Sequence, residues 1–152
     1  MTTGFTAAAI AAIDDACPND TLGFRRIRIR SADTGGRIGF FEEIVPPGAG
    51  VPLHIHHNED EMFNVRAGHF RICCGEETFD VHPGDVTVLP RGIPHSFFNI
   101  GETEGWLDVT VTPGGFETMF LHASEAGVDA AGRFMELAPQ YGLEMLPGQA
   151  AA

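Results

Sequence analysis

Positive charge is scarce in this chain. Nine basic residues stand against 21 acidic ones, for a formal net charge of −12 at pH 7, so a nucleic-acid partner, whose phosphates need a positive surface, is not expected. Cysteine is scarce as well. There are three, an odd number, and Cys73 and Cys74 are adjacent in a segment that reads as a strand, where neighbouring side chains point to opposite faces. That leaves no basis for a disulfide framework or a cysteine-bound zinc. No apolar run is long enough to span a bilayer, and the start "MTTGFTAAAIAAIDDA" lacks both the basic residues and the apolar core of a signal segment. The expectation is a protein of the reducing cytoplasm that works away from membranes.

What is present suits one domain: 152 residues, 43% of them hydrophobic, can build an adequate core. Residues 1–20 read as an N-terminal arm, residues 21–112 as a run of short strands and residues 113–152 as a helical extension packed on them. The expected strands are Phe24 to Arg30, Arg37 to Val45, Pro52 to His56, Glu61 to Arg66, Phe70 to Cys74, Glu77 to Val81, Val86 to Leu89, Ser96 to Asn99 and Trp106 to Thr112. Many short strands at near-regular spacing indicate a barrel or sandwich. In "RRIRIR", Arg26, Arg28 and Arg30 alternate with Ile27 and Ile29, the pattern of an ordinary strand with one wet face. After "TPGG" the period changes. Phe116, Met119 and Phe120 fit one helical face, and Phe134, Leu137, Ala138 and Tyr141 fit another that Gly142 stops, so two short helices follow the strands.

Two stretches carry chemistry. In "GAGVPLHIHHNEDEMFNVRAG", His54 and His56 are two apart, so on a strand both imidazoles face one way. Glu61 lies five positions beyond His56, an odd step, and the polar run His57, Asn58, Glu59, Asp60 can make the turn that brings it back to the same interior. The second stretch, "GDVTVLPRGIPHSFFN", supplies His95. Three imidazoles and one carboxylate suit a divalent first-row ion held with open positions for water or a substrate oxygen. Iron, manganese, nickel, cobalt, copper and zinc all remain candidates. The glycines and prolines around these residues, such as Gly48, Gly68, Pro90 and Pro94, punctuate short strands and argue against helices here.

These stretches resemble the paired signature motifs of the cupin superfamily. The first motif runs Gly, five residues, His, one, His, three or four, Glu, six, Gly, and Gly48, His54, His56, Glu61 and Gly68 fill it. The second runs Gly, five, Pro, one, Gly, two, His, three, Asn, and Gly84, Pro90, Gly92, His95 and Asn99 fill that. The spacer between them, His69 to Pro83, is fifteen residues long. Asn64 and Arg66 depart from the usual aromatic and leucine, but parity puts both on the face opposite the ligands. The resemblance implies an all-β fold, a cupin-type jelly-roll barrel with the metal inside and one or two short C-terminal helices on it. It also implies a homodimer, because an exposed sheet edge commonly finds a partner in this superfamily. The tail segments "TPGGFETMF" and "ELAPQYGLEMLP" are similar to those of small single-domain bacterial cupins of the quercetin-dioxygenase-like group.

Parity places Phe63 and Val65 beside Glu61, and Phe97 beside His95, as walls of an apolar substrate pocket. The group resemblance implies a dioxygenase acting on a small aromatic or enolic, flavonol-like substrate. In that chemistry Glu61 takes the proton of a substrate held at the metal and dioxygen attacks the enolate. Two other readings stay open: a non-catalytic binder of a small molecule or metal, and a metal-dependent isomerase or lyase acting on a keto acid. His57, Glu59, Asp60, His69, His82 and His122 read as solvent-facing residues. Met119, Phe120, Phe134 and Met135 fit either a core or a lid over one barrel mouth.

Overall fold

The structure is a computed structural model that describes residues 6–11 and 24–147. Most of the expected N-terminal arm therefore lies outside the described residues. All nine expected strands form, with ends displaced by at most two residues: β1 (Phe24–Ile29), β2 (Gly39–Val45), β3 (Gly50–His56), β4 (Asp60–Ala67), β5 (Phe70–Cys74), β6 (Glu77–Val81), β7 (Val86–Leu89), β8 (His95–Asn99) and β9 (Gly105–Thr112). Two helices follow, α1 (Phe116–Ser124) and α2 (Ala130–Leu137), and then a short strand the sequence reading did not contain, β10 (Leu143–Met145).

The strands make two five-stranded sheets, ordered β1-β2-β9-β4-β7 and β10-β3-β8-β5-β6, with antiparallel ladders. Strands far apart in sequence are neighbours, β2 with β9 and β3 with β8, which is the jelly-roll pattern of the cupin fold. Each sheet is bonded within itself, so the expected barrel is two facing sheets rather than one continuous ladder among the described residues. Their inner faces fill the space between. β2 alternates buried and half-buried residues along its whole length, as a strand with one face on a core must. Phe41, Phe63, Phe70, Ile72, Leu107 and Val109 are all 1% exposed or less, and each such side chain contributes about 1.5–3 kcal/mol by leaving water.

Two motif residues show why the fold needs them. Gly68, at φ +90°, closes the turn between β4 and β5, and a Cβ there would stand 2.6 Å from Gly105 Cα. Only glycine accepts both demands. Asn99 is fully buried: its Nδ2 donates to the Val45 and Thr103 carbonyls at 2.9 and 2.8 Å, and its Oδ1 accepts from Gly101 N–H at 2.9 Å. It pins the end of β8 and so fixes the register of the strand that begins with His95.

The helices close one end of the space between the sheets. Phe120 of α1 packs edge-on against Phe41 at 5.2 Å, Phe116 lies 6.4 Å from the same ring, and Phe134 of α2 stacks on Phe120 at 6.1 Å. Met119 and Phe120 are buried while Met135 is 54% exposed, so of the residues expected as core or lid only Met135 faces out. No helix among the described residues is long and apolar enough to cross a membrane.

Candidate metal centre

Strand parity positions the cluster. β3 buries His54 and His56 and leaves Ile55 between them facing the other way; Glu61 is the first inward residue of β4, and His95 opens β8, paired directly with His54. One nitrogen or oxygen from each of the four residues lies within 4.8 Å of the others, and all four residues are buried. The ring centroids are 4.3 Å apart for His54 and His95, 5.0 Å for His54 and His56 and 5.4 Å for His56 and His95. The structure thus brings together every residue expected to bind metal.

Hydrogen bonds behind the rings aim them. His54 Nδ1–H donates to the Pro52 carbonyl at 2.7 Å and His56 Nδ1–H to Glu59 Oε1 at 2.5 Å, which leaves both Nε2 atoms bare and facing the centre. Glu61 Oε2 is 3.1 Å from His95 Nε2 and 3.4 Å from His56 Nε2. His95 Nδ1 is buried with no hydrogen-bond partner.

The charges are as close as the atoms. Burial opposes ionisation of Glu61, but the imidazoles of His56, His95 and His54 outweigh it and hold its pKa down at about 2, from an ordinary 4.5. Burial, helped by His95, pushes His54 down to about 3. Burial also opposes charge on His56, yet Glu61 and Glu59 outweigh it and raise its pKa. An ionised carboxylate in such a place requires a positive partner. The donor set suits a metal ion, which would take the place of the His56 proton as that partner.

The cluster opens onto a cavity of about 30 Å³, room for a water molecule or two. Aromatic and aliphatic side chains, Phe97, Phe116, Phe120, Phe134, Val51 and Leu143, form most of its wall, and Arg25 and Glu43 form the rest. Of the expected wall residues Phe97 is present. Phe63 and Val65 face inward as parity requires but are 0% and 2% exposed and do not line the cavity. β4 carries them away from the helical end by about 7 Å for every two residues, so they sit in the core beneath it, with Phe63 edge-on to Phe97 at 5.1 Å.

Three contributors escaped the sequence reading. Glu59, expected as an exposed turn carboxylate, is 3% exposed and holds His56; the turn after β3 folds it back beneath the ring three residues earlier. Arg25 and Glu43 face the cavity from adjacent strands, with Nη2 and Oε1 2.8 Å apart. The signal for both was parity, since Arg25 shares a face with Ile27, and Glu43 with Phe41 and Val45. The remaining candidates stay outside. His57 pairs with Glu144 at 2.7 Å with both half exposed, Asp60 pairs with Arg91, His69 and His82 stack on each other at 4.3 Å, and His122 bonds Tyr141.

A family model described as a cupin domain matches residues 41–110, a span that contains all four residues of the cluster. The chain is 35% identical over 60 residues to an uncharacterized protein of Methanocaldococcus jannaschii, a match covering 40% of this chain and 48%, about half, of that one. It is 29% identical over 102 residues to protein SchB of Streptomyces halstedii, covering 66% of this chain and 74% of that one. Among solved structures, KdgF from Halomonas sp. aligns with a TM-score of 0.62 at 19% identity, over 72% of this chain and 99% of the other.

Proposed function

For a chain that has the cupin fold and carries a cupin domain over residues 41–110, we propose a metal-dependent oxidoreductase of the dioxygenase type, acting on a compact enolic substrate. The observation that carries this reading is the buried cluster of three histidines and one glutamate facing a small, aromatic-walled cavity. When bound, a divalent first-row ion (iron, manganese, nickel, cobalt, copper or zinc) supplies Lewis acidity for an enolate and, where it is redox-active, electrons for oxygen chemistry.

The protein's own groups do the rest. His54, His56 and His95 hold the ion, and the Pro52 carbonyl and Glu59 keep two of the rings in the tautomer that binds it. Glu61 is the proton acceptor nearest the substrate. Its pKa of about 2 makes it a weak base, so it receives the enol proton only as that proton is acidified at the centre. Phe97, Phe116 and Phe120 keep bulk water out, which protects an electron-rich enolate from protonation. A cavity of about 30 Å³ does not hold a three-ring flavonol while α1 and α2 are seated on it. The substrate class therefore narrows from flavonol-like to smaller enols and enediols.

One observation favours a second reading. Arg25 and Glu43 add charge to the cavity wall, which suits a keto acid and the non-oxidative chemistry of an isomerase or lyase. Oxygen uptake measured on a panel of enols, catechols, flavonols and 2-oxo acids, repeated without air, separates these readings. Turnover with oxygen consumption supports the first, product formed anaerobically supports the second, and binding without turnover in either condition refutes both in favour of a non-catalytic binder.

A further inference from the structure

Arg25 and Glu43 form an ion pair inside an aromatic cavity, each side chain 11% exposed and the two directly in register across β1 and β2. Two charges taken this far from water give no more stability than a well-packed apolar pair of the same volume. Their use lies in recognition. The Arg25 guanidinium lies over the Phe120 ring at 4.5 Å from its centroid and is held by Glu43 at 2.8 Å. It is therefore fixed from two sides before any ligand arrives, which lowers the entropy cost of binding one. It lines the same cavity as His54, His56 and Glu61.

We propose that Arg25, oriented by Glu43 and Phe120, is the specificity-determining residue that receives the carboxylate of a small monoanionic substrate whose enolic oxygen lies at the histidine cluster. This rests on the metal-dependent reading above, and it applies to oxidative and non-oxidative chemistry alike. A planar guanidinium pairs with a carboxylate through parallel N–H bonds, a geometry a lysine does not offer. The charge count agrees. With a divalent ion in place, the ion, Arg25, Glu43 and Glu61 leave the cavity walls with one net positive charge, which a monoanion neutralises and a neutral enol does not. Without the ion the walls carry a net negative charge and repel the same ligand. The substrate class that follows is a short 2-oxo or 2-hydroxy-2-enoic acid.

The test is calorimetric binding to metal-loaded protein, with metal content measured on the same samples. The probes are pyruvate, 2-oxobutyrate, oxaloacetate and malonate, each compared with its neutral amide. The native protein is expected to bind at least one acid on the order of tenfold or more tightly than its amide. Arg25→Met should erase that preference, and Arg25→Lys should restore part of it. Because Arg25→Met strands Glu43 without its partner, the double variant Arg25→Met, Glu43→Met gives the same comparison with both charges removed. Full metal content with no acid preference in the native protein, with no binding of any probe, or with the preference intact in the double variant overturns the assignment. Absence of metal from the native protein overturns the reading beneath it instead.

Discussion

Glu59 supplies the sharpest prediction, because a residue that looks like a solvated turn carboxylate is 3% exposed and bonded to His56 at 2.5 Å. Glu59→Ala leaves the His56 Nδ1–H buried without an acceptor, which costs about 1–3 kcal/mol. The ring can escape that cost by moving its proton to Nε2 or by turning, and either change withdraws the nitrogen that faces the cluster. Metal affinity should therefore fall about 10- to 100-fold, equivalent to about 1.4–2.7 kcal/mol. Glu59→Gln keeps an oxygen acceptor and loses the charge, so its loss should lie near the lower end. Zinc, being redox-silent, is the ion to titrate, in competition with a chelator of known affinity. The neighbouring Asp60→Ala is the control, since Asp60 bonds Arg91 away from the cluster and its removal should leave affinity unchanged. Zinc bound by Glu59→Ala as tightly as by the parent would refute the argument that Glu59 sets the His56 ring.

In metal-free protein, the raised pKa of His56 stabilises the fold below its ordinary 6.5 and that contribution disappears as pH rises through the raised value. The depressed pKa of Glu61 stabilises above 4.5 and is lost as pH falls towards about 2, so thermal melts of the metal-free form should be most stable between roughly pH 4.5 and 6.5, and a melt that rises steadily into alkali contradicts this. Metal should compete with the His56 proton, so zinc affinity should weaken on acidification through that raised value. Asn64→Tyr should leave metal content unchanged, since Asn64 faces away from the cluster on β4; lost metal would contradict the strand parity. Gly50→Ala places a Cβ 2.0 Å from the Phe97 carbonyl oxygen and 2.7 Å from Phe98 Cα, which should destabilise urea unfolding by about 1–3 kcal/mol through displacement of β8.

The ligand set was legible because it depends on a period of two, which holds along β3 and β4 whatever the surroundings, and on turn chemistry that glycine and proline announce. The strands were legible for the same reason. Depth along a strand was not: parity states that Phe63 and Val65 face inward but not which layer of the interior they reach. Glu59 was hidden because a turn has no period, and only the folded loop shows that its carboxylate returns to His56. Arg25 and Glu43 were within reach of the parity rule. They were passed over because Arg26, Arg28 and Arg30 draw attention to the wet face of "RRIRIR" and a charged pair does not look like a pocket wall. β10, three residues long and sealing the cavity with Leu143, is too short to show any pattern.

The central claim is that His54, His56, Glu61 and His95 bind one metal ion together, and elemental analysis tests it most directly. Protein purified after expression with iron, manganese, nickel, cobalt, copper and zinc supplied should carry close to one ion per chain, while His54→Ala and His95→Ala should lose it and keep the native far-ultraviolet circular dichroism. Native protein without stoichiometric metal, or folded variants that retain it, would contradict the account.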